Sequence, residues 1–274
     1  MPEGPELKIM ADYINQSVKE KTFNKSFHVL KGNNPEQFQL INEFKVDAES
    51  FGKELIIRFY NGTEFHKIAV FMGMSGNWKW VPTENWSDTK FIRMRLDTTD
   101  GWSLLLYGSY MGPKYRIGGF TGVKRGPDPT KDFRDFYDNI VNNLDKKIFD
   151  KAICEVLLNQ EYFNGIGAYL CSEIIGRLDL NPFEQARVII KSNPKILSMC
   201  RDIPIESYNL GGGEIKDWIN PFGKSKIDEW LFFYGNKEVC YKQKFGSRNI
   251  WIQKKWMIFN EEYGNYQLLS NETI

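Results

Sequence analysis

The chain has 274 residues and a mass of 32.1 kDa, a size at which one large or two small domains bury a full apolar core without covalent staples. Its 36 basic and 35 acidic residues leave a net charge of +1, which neither demands nor forbids a polyanionic partner. Cys154, Cys171, Cys200 and Cys240 form no Cys-x-x-Cys pair and have only His28 and His66 as imidazole partners, which excludes a self-contained zinc finger and a disulfide framework and fits a reducing compartment. No apolar run approaches the ~20 residues of a membrane span and the first ten residues hold no signal-type apolar core, so a soluble intracellular protein is expected.

In chain order, a short amphipathic helix is predicted first, running through Ile9, Met10, Tyr13, Ile14 and Val18. The segments KELIIRFY, KIAVFM, NWKWV, FIRMRLDT and WSLLLY then read as strands, being β-branched or aromatic runs separated by Gly, Asn, Asp and Thr clusters. The period changes at Arg125-Gly-Pro-Asp-Pro-Thr130. Apolar residues of FRDFYDNIVNNL recur at three- and four-residue steps, and helical patterns continue through DKAICEVLLNQ, AYLCSEIIGRL, FEQARVIIK and PKILSMC. After a Leu210-Gly-Gly-Gly213 linker, KIDEWLFF reads as a further short helix, and EVCYKQK with RNIWIQKKW as a hairpin. The expected class is α+β: an N-terminal β-sandwich domain with a leading helix over residues 1–128, a helical domain over 129–223, and a helix, hairpin and tail over 224–274. Between Lys224 and Trp256 eight basic residues face three acidic ones, which makes this the basic part of the chain, although a charged run is most often a solvated face.

The amino terminus carries unusual chemistry. In Pro2-Glu3-Gly4-Pro5-Glu6, trimming of Met1 would leave Pro2 as a free secondary amine. An α-amino group titrates near ~7.7–8.0, against ~10.4 for lysine, so a useful fraction is unprotonated and nucleophilic at neutral pH. With an aldehyde-like sugar carbon, a secondary amine forms a charged iminium that drains electrons from neighbouring bonds. Glu3 beside it suits proton transfer to an opening sugar ring. The same five residues also make a good helix start, with Pro5 in the first turn and Glu6 complementing the helix dipole, and the pentapeptide alone leaves both readings open.

Together with Phe51-GKEL, Phe71-MGMSG, Arg125-GP, the Phe149–Ile174 run containing Asn164-Gly-Ile-Gly167, Asn181-PFEQAR, Leu210-GGG, Glu229-WLFFYG and Ser247-RNIWIQ, this start resembles the Fpg/Nei DNA glycosylases of the zincless-finger type over nearly the whole chain. The resemblance implies a sandwich followed by a helix–two-turn–helix domain carrying a zincless-finger hairpin. It implies Pro2 as nucleophile, Glu3 as acid/base and Lys53 as a second catalytic amine. Asn164, Gly165 and Gly167 match the turn that meets DNA phosphate, and Arg248 matches an arginine gripping phosphates around an extruded nucleotide. Met74 matches a residue that fills the void left by the flipped base. No metal and no cofactor are expected, since the finger offers only Cys240. The partner would be damaged DNA, with no membrane, a monomeric state and a nuclear location.

Three positions depart from the family pattern: Ala168 replaces an asparagine, the loop at 110–114 lacks the adjacent arginines and phenylalanine, and Gly213 stands where a basic lesion-reading residue is expected. Two functions are compatible with these residues. One is a bifunctional enzyme that excises oxidised pyrimidines and ring-opened purines and nicks the strand by β,δ-elimination; the other is a damaged-DNA-binding protein with weak or no catalysis.

Overall fold

The computed structural model describes residues 2–28, 43–62, 65–73, 75–85, 91–108, 112–118, 124–213, 220 and 222–257. Helix α1, Gly4–Val18, begins with Pro5 in its first turn, where a missing N–H costs nothing, and buries Leu7, Ile9, Met10, Ile14 and Val18. These residues lie against two four-stranded antiparallel sheets. One has the order β1-β6-β7-β5, with β1 at Phe23–His28, β5 at Asn77–Pro82, β6 at Ile92–Thr98 and β7 at Trp102–Tyr107. The other has the order β2-β3-β4-β8, with β2 at Lys45–Phe51, β3 at Glu54–Tyr60, β4 at Phe65–Phe71 and β8 at Lys114–Ile117.

The alternation visible in the strand sequences is the alternation of the core. In β2 and β3 the register sets Val46 opposite Phe59 and Ala48 opposite Ile57, so one face of the pair is wholly buried. Met94, Leu96, Leu104 and Leu106 from the other sheet close the same cluster over α1. The β2–β3 register also matters for the site: Phe51 pairs with Glu54, leaving Gly52 and Lys53 as a two-residue turn, with Gly52 at φ +54°. Lys53 therefore stands at a hairpin tip rather than along a strand.

A second core is built from helices. It draws on α2 (Phe133–Val141), α3 (Ile153–Val156), α4 (Ala168–Arg177), α5 (Ala186–Ser192) and α6 (Lys195–Asn209), with Phe149, Leu157, Phe163 and Ile166 from the segments between them. Two helical expectations are shortened. DKAICEVLLNQ makes only the single turn α3, because Asn159 and Gln160 then bond the backbone of the following turns and draw the chain out of the helix. KIDEWLFF makes only α7, Ile227–Trp230, because the fully buried Glu173 carboxylate accepts the N–H groups of Phe232, Phe233 and Tyr234 at 3.1, 2.8 and 2.9 Å. A buried charge is a stronger acceptor than the carbonyls a helix would offer. PKILSMC, by contrast, starts a helix that continues through Pro204 to Asn209.

The hairpin of β9 (Cys240–Phe245) and β10 (Arg248–Gln253) turns at Gly246, φ +56°, and Ser247. Its inner residues Phe245, Ile250 and Ile252 join the helical core, and the Trp251 N–H donates to Ser172 Oγ of α4 at 3.1 Å. Cys240 packs with Phe233 and Trp251. Apolar packing against α4 thus holds the hairpin tip in place. Among the described residues no helix is long and apolar enough to cross a membrane, and no group of three or more His, Cys, Asp or Glu is arranged to hold a metal ion.

Candidate active site

A cleft of about 1010 Å³ runs where the sandwich, the helices and the hairpin meet, and Pro2, Glu3, Lys53, Gly167 and Arg248 all line it. They arrive from four different places in the chain. Pro2 and Glu3 precede α1, Lys53 tops the β2–β3 turn, Gly167 precedes α4, and Arg248 opens β10.

The centre of the cleft is the contact between Glu3 and the start of α4. The Glu3 carboxylate, 4% exposed, accepts N–H groups from Gly167 at 2.7 Å, Tyr169 at 3.1 Å and Leu170 at 3.4 Å. A carboxylate there satisfies the orphan donors of a helix N-terminus and meets the positive end of its dipole. Burial outweighs this help. Loss of water pushes the Glu3 pKa up to about 7, against the downward pull of Lys53 and the backbone N–H groups, while the nearby Glu6 adds a further upward push. Glu3 is therefore poised to give and take a proton at neutral pH.

Lys53 faces it. Its ammonium donates to the Ile166 carbonyl at 2.7 Å. Burial lowers the Lys53 pKa, Glu3 pulls it back up, and the Arg248 cation lowers it again. Both side chains press on Gly167: a Cβ added there would lie 2.2 Å from the Glu3 carboxyl carbon and 2.4 Å from Lys53 Nζ. Only a glycine lets the two groups converge on this backbone.

The frame behind them joins the two cores. The Gly4 N–H donates to the Gly165 carbonyl at 3.0 Å, and the Gly52 N–H to Asp128 at 2.8 Å. Asn164, wholly buried, donates to the Gly126 carbonyl at 3.0 Å and accepts from the Lys53 N–H at 3.4 Å and from Arg125 at 3.3 Å. The Arg125 guanidinium lies 3.8 Å from the buried Glu54 carboxylate and reaches the Lys53 carbonyl at 3.5 Å. Gln160 donates to the Ile166 carbonyl at 2.9 Å and accepts the Gly165 N–H at 3.1 Å, so one carbonyl receives both Gln160 and Lys53.

Residues 1–109 match the family model of the formamidopyrimidine-DNA glycosylase N-terminal domain. Over 92% of this chain and 72% of the relative, the sequence is 28% identical to Endonuclease 8-like 1 of Homo sapiens, and it is 28% identical over 77% of the chain and 81% of the relative to Endonuclease 8 of Salmonella dublin. The fold is similar to Fpg (MutM) of Lactococcus lactis, solved with DNA containing an oxidised pyrimidine, at a TM-score of 0.76 and 17% identity, covering 92% of this chain and 98% of the other. It is also similar to MutM (Fpg) of Thermus thermophilus, at a TM-score of 0.75 and 18% identity over 93% and 98%. The chain is thus similar to the Fpg and endonuclease 8 proteins in sequence and in fold.

The expected nucleophile, acid/base and second amine come together in one cleft, with Arg248 exposed at its hairpin rim. The residues of the expected phosphate turn make contacts within the protein. Asn164 is buried, and the Gly165 and Gly167 N–H groups are bonded to Gln160 and Glu3. Ala168 lines the cleft directly after them. Met74 lies outside the described residues, as do positions 110 and 111 of the partner loop. Tyr169, Glu6, Gln160, Arg125 and Asp128 escaped sequence reasoning as parts of the site. Glu6 alone carried a signal, its place three residues after Glu3, and its N–H···Oε2 bond from Glu3 at 2.7 Å is the outcome.

Proposed function

We propose that this chain is a bifunctional DNA glycosylase and AP lyase of base excision repair, with the Pro2 amine as nucleophile. Removal of Met1 frees the amine. Its nitrogen attacks C1′ of a damaged nucleotide while protonated Glu3 gives its proton to the sugar-ring oxygen and the C1′–O4′ bond breaks; the amine's own proton then passes to the base, which leaves with the electron pair of its bond to C1′ as the nitrogen lone pair closes the iminium. The ring-opened sugar is then joined to Pro2 as an iminium. Loss of a C2′ proton expels the 3′ phosphate, a second elimination expels the 5′ phosphate, and water releases the sugar fragment and restores the amine. Lys53, beside Glu3, contributes a cation and a proton relay to these steps.

The observation that carries this reading is the convergence of Pro2, Glu3 and Lys53 on one cleft, with Glu3 held by α4 at a pKa of about 7. A carboxyl group half protonated at neutral pH serves as acid in the first step and base in the later ones. Arg248 at the rim suits the flanking phosphates, as do Asn164, Gly165 and Gly167 through the backbone they order rather than through their own donors. Met74 is assigned to the void left by the base.

The substrate class is oxidised or ring-opened bases in DNA. The similar Lactococcus lactis Fpg has been solved with DNA containing an oxidised pyrimidine and with DNA containing an abasic site, and a variant of it with Fapy-dG DNA. The protein acts as a monomer on the genome, in the nucleus where one exists. Borohydride reduction of the protein with abasic-site DNA tests the mechanism: a covalent adduct is expected from the wild type and none from Pro2→Gly. No adduct from wild-type protein whose mass shows Met1 removed overturns it.

A further inference from the structure

Glu6 is the third residue of α1, and its side chain is 1% exposed. Capping α1 requires only one of its contacts. Oε2 accepts the N–H of Glu3, the amide directly after Pro2, at 2.7 Å. Oε1 accepts the Tyr169 hydroxyl at 2.7 Å and the Gly213 N–H at 2.7 Å. The Tyr169 hydroxyl also lies 2.9 Å from Ser207 Oγ of α6, while the Tyr169 backbone N–H goes to Glu3. Tyr169 thus touches both acids of the pentapeptide, one by its phenol and one by its amide.

The loop after α6 is moulded onto the same group. Gly212 has φ +66°, and a Cβ added to it would lie 2.8 Å from Glu6 Oε1. Gly213 lines the same cleft as Pro2 and Glu3. A buried carboxylate is costly unless its lone pairs are met, and here the donors come from three separate parts of the chain: the residue before α1, the start of α4 and the loop after α6. Moving any of the three leaves the carboxylate short of a donor, so the three are held as a unit.

We propose that Glu6 and Tyr169 form a positioning clamp that ties the Pro2–Glu3 peptide to the loop at 210–213, so that one buried carboxylate sets both the aim of the attacking amine and the part of the cleft lining that this loop supplies. Neither residue touches the reacting atoms. The loop bonds to Glu6, Glu6 bonds to the peptide carrying the nucleophile, and Tyr169 holds Glu6 in the rotamer that reaches both.

This rests on Pro2 being the nucleophile, and the test separates the two claims. The rate of borohydride trapping under single-turnover conditions is measured on a duplex with one abasic site, and affinity in parallel on a duplex carrying a tetrahydrofuran abasic analogue. Wild-type protein is compared with Tyr169→Phe, Glu6→Gln, the double variant, and Tyr13→Phe, whose hydroxyl accepts the Trp80 N–H at 3.0 Å away from the cleft. Tyr169→Phe is expected to trap about tenfold more slowly, the scale of one lost hydrogen bond to a charged group, with affinity within about twofold of wild type. Glu6→Gln should lose at least as much, the double variant no more than Glu6→Gln, and Tyr13→Phe nothing. Glu6→Gln perturbs the clamp from α1, so its split between trapping rate and affinity decides the matter even where one variant is too unstable to assay. Wild-type trapping matched by Tyr169→Phe, losses that multiply in the double variant, or a loss accounted for by weaker binding overturns the clamp alone. Wild-type protein that never traps overturns the nucleophile and the clamp together.

Discussion

Two glycine-containing turns meet the cleft, and both resemble phosphate grips in the sequence. The turn from Asn164 to Gly167 is buried and spends its N–H groups on Gln160 and Glu3. The turn at Gly246 and Ser247 is exposed, and it carries Arg248 outward into the cleft. The difference is one of environment rather than residue type. The first turn lies between two cores and is the scaffold on which Glu3 and Lys53 are set; the second is a hairpin tip with a single inner face, left open to a ligand. A motif for meeting phosphate is therefore also a motif for holding a carboxylate, because a helix N-terminus favours any anion that reaches it.

The largest effect is expected where the inner turn is broken. Gly167→Ala places a methyl group against Glu3 and Lys53, yet the backbone at φ −128° accepts alanine. Single-turnover excision should fall by roughly 100-fold or more while the melting temperature changes little, since displaced catalytic groups lose their aim before the fold loses its packing. A variant of near wild-type rate would mean that Glu3 need not sit on α4.

Asn164→Ala should instead act on stability. It strips a buried carbonyl, an N–H and a guanidinium of a shared partner, and a loss of about 2–3 kcal/mol is expected in urea unfolding. A change within about 0.5 kcal/mol would put this residue outside the frame.

The raised pKa of Glu3 has a definite sign. The group is neutral below about 7 and charged above it, so base excision that needs its proton should fall about tenfold for each pH unit above 7. Cleavage of a pre-formed abasic site, where the base is already gone, should not share that limb. Stability follows the same linkage: the folded state holds a proton that the unfolded chain has released, so stability contributed by this group declines as pH rises from the ordinary glutamate value of 4.5 to about 7, and is flat above that. Identical pH limbs for both reactions would assign the titration to another group.

The outer turn gives the smallest effect. Arg248→Ala should weaken DNA binding about fivefold and reduce the salt slope by about one counterion, with no change in melting temperature, because the side chain is exposed. An unchanged slope would remove Arg248 from the phosphate contacts and erase the contrast between the turns.

Much of the site was legible as residue types. Pro2 and Glu3 stand together at the start of the chain, Lys53 follows Gly52 between two strand patterns, and Arg248 follows a turn in the basic segment. The strands β3 to β7 were legible for the same reason, since alternation along a strand is a local property. Less legible were the places where a distant side chain competes with the local pattern. Glu173 draws three N–H groups out of the expected helix after Lys226, and Gln160 and Asn159 end α3 after one turn. Tyr169 reads as one more apolar position of α4, and nothing near it in sequence marks its phenol as the partner of Glu6, 163 positions away.

What the amino-acid sequence determined alone is the inventory: an N-terminal proline and carboxylate, a lysine at a turn, an arginine on a hairpin, and the change from a period of two to a period of 3.6 that separates sandwich from helices. Spacing and side-chain type suffice for these, because backbone geometry repeats over a few residues. The tertiary structure decided what each group is worth. Glu3 is an ordinary carboxyl group until it is buried against the N–H of Gly167, 164 positions later, and the two similar turns come to differ only because one is covered and the other is not. Desolvation and long-range hydrogen bonding are properties of assembled neighbours, and no local pattern contains them.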